Sequence, residues 1–524
     1  MIYLPYTILF IINLYVFSEG YNRIHESLWH DEAWVAISIL KPNIFEMINY
    51  SDPVQSTPLG YLLVVRFLIQ IFGDFDWVFR IFSLFVGIVN INLLFLITYK
   101  ILKNSFFSII PIIIFVTNYT LLRYNAELKQ YSLEMLCSLS TILILDLLED
   151  KFKNKKIIFF ISGLLYSVFL FFSSSTILVL AILLLCGFLK EKTIEDKIKY
   201  LKLYIPFIIP VGVIFILYYV LYLSIISKSS MLHTFWAFGF PERNQPGLWI
   251  SFLKERMHYF IDYLLFNSGK YFIYLFTISF FTFFVISRTR LGIFLFLAPI
   301  LLFLISLLRL FPFAIDSRMF LFYHCLLFIP IGFLIQKLLS EWIEKIYIIF
   351  EPFIKNLFFK KYILYFMKLI TLLFFLYSYF FYTKGQIESK EYIYNYEPMK
   401  EYYSILSKNI SNNDVVYLYY NSKYTFNYYN RKQGLNIFPT GWYEQHKNVS
   451  LLIEKQTEVL KEAAGRNLWL LATRPHPDFE RMKWEDELLE ENAKKYCEVL
   501  DRIELQRGKV KNGVLIKFHC KEIK

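Results

Sequence analysis

Apolar runs of membrane-spanning length recur through this 524-residue chain, at about 2–18, 80–98, 106–122, 132–148, 157–172, 175–189, 203–223, 271–287, 291–308, 319–337 and 362–382. A run of about 20 such residues satisfies every backbone donor and acceptor only as a helix, roughly 30 Å long, which matches the hydrocarbon core of a bilayer. The pattern predicts a mainly α, polytopic membrane protein of about eleven transmembrane helices. A hydrophobic fraction of 56% against 19% charged residues points the same way. The run that begins at Ile2 has neither a basic segment before it nor a small-residue cleavage site after it, so it is expected to remain as an anchor.

The formal net charge of +12 raises the question of a nucleic-acid partner, but its distribution argues for a bilayer instead. Alternate loops at 100–103, 149–156, 190–202, 288–290 and 337–361 hold Lys or Arg at 18 of 53 positions. The intervening loops at 19–76, 123–129, 173–175, 224–270 and 309–318 hold 12 in 125 positions. The positive-inside rule assigns the first set, and the N-terminus, to the cytoplasm. The loops 19–76 and 224–270 are then outside, as is everything after Tyr382.

The first outer loop opens with His30-Asp31-Glu32-Ala33-Trp34, two adjacent carboxylates beside a membrane span. Further along it, Leu59 to Phe72 is apolar but too short to span and ends at Gly73-Asp74, so an interfacial helix is expected. In the second outer turn, a fourth span beginning near Glu127 would place Glu127, Gln130, Tyr131 and Glu134 on one helical face. An ionisable group such as Glu134 below the membrane surface needs a partner or a wet cavity. Arg80 and Arg318 each open a span on the same side. Such arginines either snorkel to the headgroups or, with Lys129, hold a phosphate.

Taken in order, these features resemble the GT-C superfamily of membrane glycosyltransferases, in particular the group of protein O-mannosyltransferases, lipid A aminoarabinose transferases and rhizobial lipopolysaccharide sugar transferases. The resemblance rests on Asp31-Glu32 after the first span, Pro58-Leu59-Gly60-Tyr61-Leu62-Leu63, and Arg80 with Ser83. It continues through Ala126-Glu127-Leu128-Lys129-Gln130-Tyr131 and Phe311-Pro312-Phe313 with Arg318-Met319-Phe320-Leu321, and covers about residues 1–340. It implies inverting transfer of a sugar from a polyprenyl-phosphate donor to a hydroxyl of a glycan, lipid or protein acceptor outside the cytoplasm. It also implies a general base at Asp31, with Glu32 as the adjacent alternative, and a phosphate-binding set drawn from Arg80, Lys129 and Arg318, with Glu127, Tyr131 and Glu134 beside it.

Two departures bear on that set. Relatives with His-Pro-Pro before the interfacial helix are met here by Ser56-Thr57-Pro58, and their Glu-Ala-Arg by Ala126-Glu127-Leu128-Lys129, which exchanges a bidentate guanidinium for a point charge. His25-Glu26-Ser27-Leu28-Trp29-His30 misses the zinc-protease helix spacing by one residue, although His25, His30, Asp31 and Glu32 remain a candidate set for a divalent ion. No Walker loop and no Gly-x-Gly-x-x-Gly is present for a soluble nucleotide donor. A transporter or lipid flippase is the competing reading, since Glu134 and the outer arginines also suit an ion or lipid pathway. Such proteins carry internal repeats, and none is evident.

After about residue 383 the composition turns mixed and charged, which marks off a membrane domain over 1–383 from an extracytoplasmic α/β domain over 384–524. Strands are expected over Asp414 to Tyr420, Asn467 to Thr473 and Val514 to Phe518, the last after a turn at Gly508 to Gly513, with a helix over Arg481 to Lys495. Cys137, Cys186 and Cys325 fall in apolar spans, whereas Cys497 and Cys520 share the outer domain and are candidates for a disulfide.

Overall fold

The structure is a computed structural model that describes residues 3–48, 57–153, 155–227, 234, 236–265, 268–314, 317–343, 345, 348, 357–393, 397–431, 435, 448–475, 477–478, 483–505 and 512–522. Ser56 and most of the Gly508 to Gly513 turn lie outside the described residues. The chain folds as two compact units: Met1–Tyr21, Ser51–Val65 and Arg80–Ser389 form one, and Asn22–Tyr50, Arg66–Phe79 and Lys390–Lys524 form the other.

The first unit is helical. Among the described residues seven helices are long and apolar enough to cross a bilayer: Asp76–Leu102, Tyr131–Phe152, Ile194–Leu223, Gly269–Ser287, Arg290–Leu307, Arg318–Trp342 and Tyr365–Glu388. Each covers one of the expected apolar runs. Shorter apolar helices at Ser105–Thr117, Lys156–Phe171 and Thr176–Lys190 cover three more, and the N-terminal run is the helix Leu4–Ile24. Leu59–Phe72 is a separate helix over the span read as interfacial. Its first turn is held by phenols from another helix, with the Leu59 N–H donating to the Tyr218 hydroxyl at 3.4 Å and Tyr222 donating to the Thr57 carbonyl at 2.9 Å. It stops where Gly73 takes a left-handed φ of 86°, a conformation open to glycine at little cost.

The expected start of the fourth span needs correction. Asn118 breaks the preceding helix and caps a short one, Tyr119–Arg123, by accepting from the Leu121 N–H at 3.0 Å. A 3-10 turn Tyr124–Ala126 follows, Glu127 is extended at φ −97° and ψ 149°, and the long helix begins only at Tyr131. Glu127 therefore stands in a turn and does not share a helical face with Tyr131 and Glu134. The asparagine side chain outcompetes helix continuation, as such residues do at helix ends.

The second unit is an α/β sandwich. Its four-stranded sheet runs in the order Val415–Leu418, Asn467–Thr473, Gly513–Cys520, Cys497–Ile503, with the first pair parallel and the others antiparallel. Alternation divides the side chains: Val415, Tyr417, Leu468, Leu470 and Ile516 pack on one face under the helices Val449–Glu462 and Glu485–Ala493, while Val416, Leu418, Trp469 and Leu515 meet Met399–Asn409 and Lys423–Asn430 on the other. A sheet buried on both faces needs near-continuous apolar strands, which is why Val415–Leu418 is buried at every position. Cys497 and Cys520 are directly opposed across the last pair and form a disulfide. Of the helix expected over Arg481 to Lys495, Glu485–Ala493 is helical, and Arg481 and Met482 lie outside the described residues.

Candidate active site

In the sandwich unit, Asp31 and Glu32 do not lie in a loop. They occupy the first turn of a ten-residue helix, His30–Ile39, where the helix dipole favours negative charge. Glu32 is fully buried and turns back on its own helix, accepting the Trp29 N–H at 3.3 Å. Asp31 is half-buried. The helix packs against Lys423–Asn430, with Trp34 stacked on Tyr424 at 4.2 Å and His30 edge-on to the same ring at 5.2 Å. The His30 N–H donates to Glu397 at 2.7 Å, and its Nδ1 meets the Asn421 carbonyl at 2.7 Å, which requires the Nδ1 proton.

His30 holds a carbonyl with Nδ1, and among the described residues no group of three or more His, Cys, Asp or Glu is arranged to hold a metal ion. His25 instead borders a cavity of about 240 Å³ with Asp74, Asp76, Lys400, Tyr429 and Arg431. The charges there answer one another: Arg431 pairs with Asp74 at 2.7 Å and Lys400 with Asp76 at 3.0 Å. Tyr428 and Tyr429 also donate to Asp76, at 3.1 and 3.2 Å. Burial and the Asp76 charge push both phenols well above their ordinary pKa, so they stay protonated donors. The cluster fastens the segment Asp74–Asp76 to the sandwich.

In the helical unit the chemistry gathers on one face of Asp76–Leu102, where Arg80, Ser83, Gly87 and Asn90 recur at helical spacing. Arg80 is 1% exposed. Ser83 bonds the Tyr61 hydroxyl at 2.9 Å and lies 3.5 Å from the Lys129 carbonyl. A Cβ at Gly87 would come within 2.6 Å of the Asn125 Cβ, so only glycine lets the turn approach. Asn90 donates to the Ser132 carbonyl at 2.7 Å. The face thus grips the turn from Asn125 to Ser132 and seats Lys129 and Gln130, both buried, at its edge. Glu134 is also buried and is bonded by the Gln130 side chain one turn earlier. Tyr131 stacks edge-on to Tyr124 at 5.3 Å.

Arg123 is a member of this group that sequence reasoning missed. It is 3.5 Å from Glu127, lies over the Tyr124 ring at 4.7 Å and is 7% exposed. The four-residue Arg123-to-Glu127 spacing was the available signal. Arg318 sits in a 3-10 turn, Ser317–Phe320, that packs against the Tyr119–Arg123 helix. His324, buried against Phe260 at 4.5 Å, follows six residues later. Arg80, Lys129 and Arg318 are therefore carried by neighbouring segments of one unit, together with Glu127, Tyr131 and Glu134. Asp31 and Glu32 belong to the other unit.

No protein-family model matches the chain, and no curated protein matches it. Among solved structures the chain is similar to ArnT from Cupriavidus metallidurans bound to undecaprenyl phosphate, at 12% identity and a TM-score of 0.48 over 98% of this chain and 97% of that one. It is likewise similar to ArnT from the same organism in the apo state, at 12% identity and a TM-score of 0.44 over the same shares.

Proposed function

We propose that this protein is an inverting membrane glycosyltransferase of the GT-C type, which moves a sugar from a polyprenyl-phosphate donor to a hydroxyl acceptor on the extracytoplasmic face. The observation that carries the reading is the group of buried cations, Arg80, Arg123 and Lys129, set with Arg318 on adjoining segments of an apolar helical unit. Charge placed among apolar helices is costly unless it meets an anion, and a lipid-linked phosphate presents one at that depth. The ordered resemblance of residues 1–340 supplies the sugar.

The chemistry follows from the residue types. The acceptor oxygen attacks the anomeric carbon and gives its proton to the Asp31 carboxylate, while the bond from that carbon to the phosphate oxygen breaks and polyprenyl phosphate leaves from the opposite face. Arg80, Lys129 and Arg318 balance the charge that grows on the leaving phosphate. Burial separates the two acids. Glu32 is enclosed and bonded to its own helix start, which suits a structural duty, whereas Asp31 keeps solvent access and suits proton transfer. The disulfide between Cys497 and Cys520 supports an oxidising, extracytoplasmic setting for the sandwich unit, in line with the loop charges.

The test is Asp31→Asn in the full-length protein. It is read as restoration of whatever glycan mass increment is lost from the native host when the gene is deleted. The expected result is a fall in transfer of about 10²–10⁴-fold, the usual span for removing a general base. Transfer at the normal rate would remove Asp31 from the mechanism.

A further inference from the structure

The sandwich unit contains one buried carboxylate whose bonds are spent on a single task. Glu397 is 0% exposed, and one of its oxygens accepts from the hydroxyls of Thr425 and Thr473, each at 2.6 Å. Those hydroxyls are themselves tied in. Thr425 Oγ1 lies 3.0 Å from the Ser422 carbonyl, and Thr473 Oγ1 lies 2.9 Å from the Ser422 hydroxyl, which also accepts the Thr473 N–H at 2.8 Å. Glu397 is thus pinned to the end of the central strand Asn467–Thr473 and to the helix Lys423–Asn430. Its other oxygen accepts the His30 N–H at 2.7 Å.

His30 is the first residue of the acidic helix, and its N–H is one of the four donors that a helix leaves without internal partners. The residue in front of it, Trp29, has no side-chain acceptor with which to cap them. A charge-assisted bond from a buried acid fixed to the sheet takes that place and holds the start of the helix in position. The neighbouring contacts act on the same turn: Nδ1 of His30 on the Asn421 carbonyl, and Trp34 stacked on Tyr424.

We infer that Glu397 is a positioning residue for Asp31: through the His30 N–H it anchors the helix that carries the base to the rigid sheet of the sandwich unit. This rests on the reading of Asp31 as the base, and gives the C-terminal region a direct part in transfer. The anchor acts on the orientation of the base and leaves donor binding alone, so its loss shows in kcat and not in the donor KM.

The bond can be removed without touching Glu397. Proline is tolerated at the first position of a helix, where it deletes the N–H, and the extended Trp29, at φ −91° and ψ 170°, already has the backbone that a following proline requires. His30→Pro therefore deletes the donor, while His30→Ala deletes the imidazole and keeps it. In the full-length protein, His30→Pro is expected to transfer about tenfold or more slowly than His30→Ala at equal donor KM. Peptides covering 29–40 are expected to exchange backbone hydrogen faster in His30→Pro, with 467–473 unchanged as a control for folding of the sheet. Equal exchange over 29–40 in the two variants would overturn the anchor, whatever the reaction. Faster exchange with equal transfer would overturn its part in positioning the base. Failure of the base reading itself is separate, since it appears as normal transfer by Asp31→Asn.

Discussion

The helix Tyr131–Phe152 carries charge at both ends, and the two ends differ in how that charge is answered. Near its finish, Asp146 and Glu149 face Arg290 and Lys100: Glu149 bonds Arg290 and accepts from the Tyr204 hydroxyl at 2.7 Å. Lys100 reaches Asp146 at 3.0 Å and Asp150 at 2.9 Å. Each of these acids has a basic partner within the protein. Near its start, about 20 Å away at 1.5 Å per residue, cations outnumber acids among the described residues. Arg80, Arg123, Lys129 and Arg318 lie on the surrounding segments with Glu127 and Glu134, and among the described residues the buried side-chain amide of Asn125 meets no hydrogen-bond partner. Burial of charge alone therefore does not mark a site. A closed set of ion pairs holds helices together, whereas an excess of one sign is what a ligand of the other sign completes.

Removing Arg290 should give the largest effect, and on stability alone. Arg290→Met leaves Glu149 and Asp146 without their guanidinium, and breaking one side of a buried pair costs about 3–5 kcal/mol. Thermal unfolding of the full-length protein checks this, and transfer per folded molecule should be unchanged. A variant that unfolds no earlier would show that the acid-rich end is not a structural clasp. At the other end Arg80→Met should act on the reaction: transfer per folded molecule falls by about 100-fold or more for want of charge opposite the leaving phosphate. If the melting temperature falls instead and transfer per folded molecule does not, the two ends are alike and the cation-rich group is a second clasp.

The helical architecture was legible because its signal is long and continuous: runs of apolar residues cannot be satisfied in a bilayer any other way, and Leu59–Phe72 stood out by being too short. The strand Asn467–Thr473 was legible for the same reason, being apolar on both faces. The strand Cys497–Ile503 was not, because an edge strand bearing Glu498, Asp501 and Arg502 has no apolar pattern to find. The acidic helix escaped for a different reason. Seven of its ten residues are buried, so it shows no amphipathic period, and its N-terminal donors are met by Glu32 and by Glu397, more than 360 positions away in the chain. Candidate residues such as Arg80 and Lys129 could be named from their place at span ends, but their company could not. Gly87 and Asn125 meet only because the turn Tyr124–Ala126 comes up against the helix Asp76–Leu102.

The smallest expected effect concerns the character of the cationic end. Lys129 stands where the resembling families carry arginine, so a point charge replaces a two-pronged donor. Its backbone is held independently of its side chain: the carbonyl lies 3.5 Å from Ser83, and the N–H donates to the Glu127 carbonyl at 2.8 Å. Substitution therefore changes the head group and leaves the turn in place. Lys129→Arg keeps the charge and should alter the donor KM by no more than a few-fold, whereas Lys129→Met should raise it by about tenfold, the worth of one charge-assisted hydrogen bond. Steady-state transfer at varied donor concentration separates the two. If Met and Arg behave alike, Lys129 contributes no charge to the donor, and the contrast between the ends of the helix rests on the arginines alone.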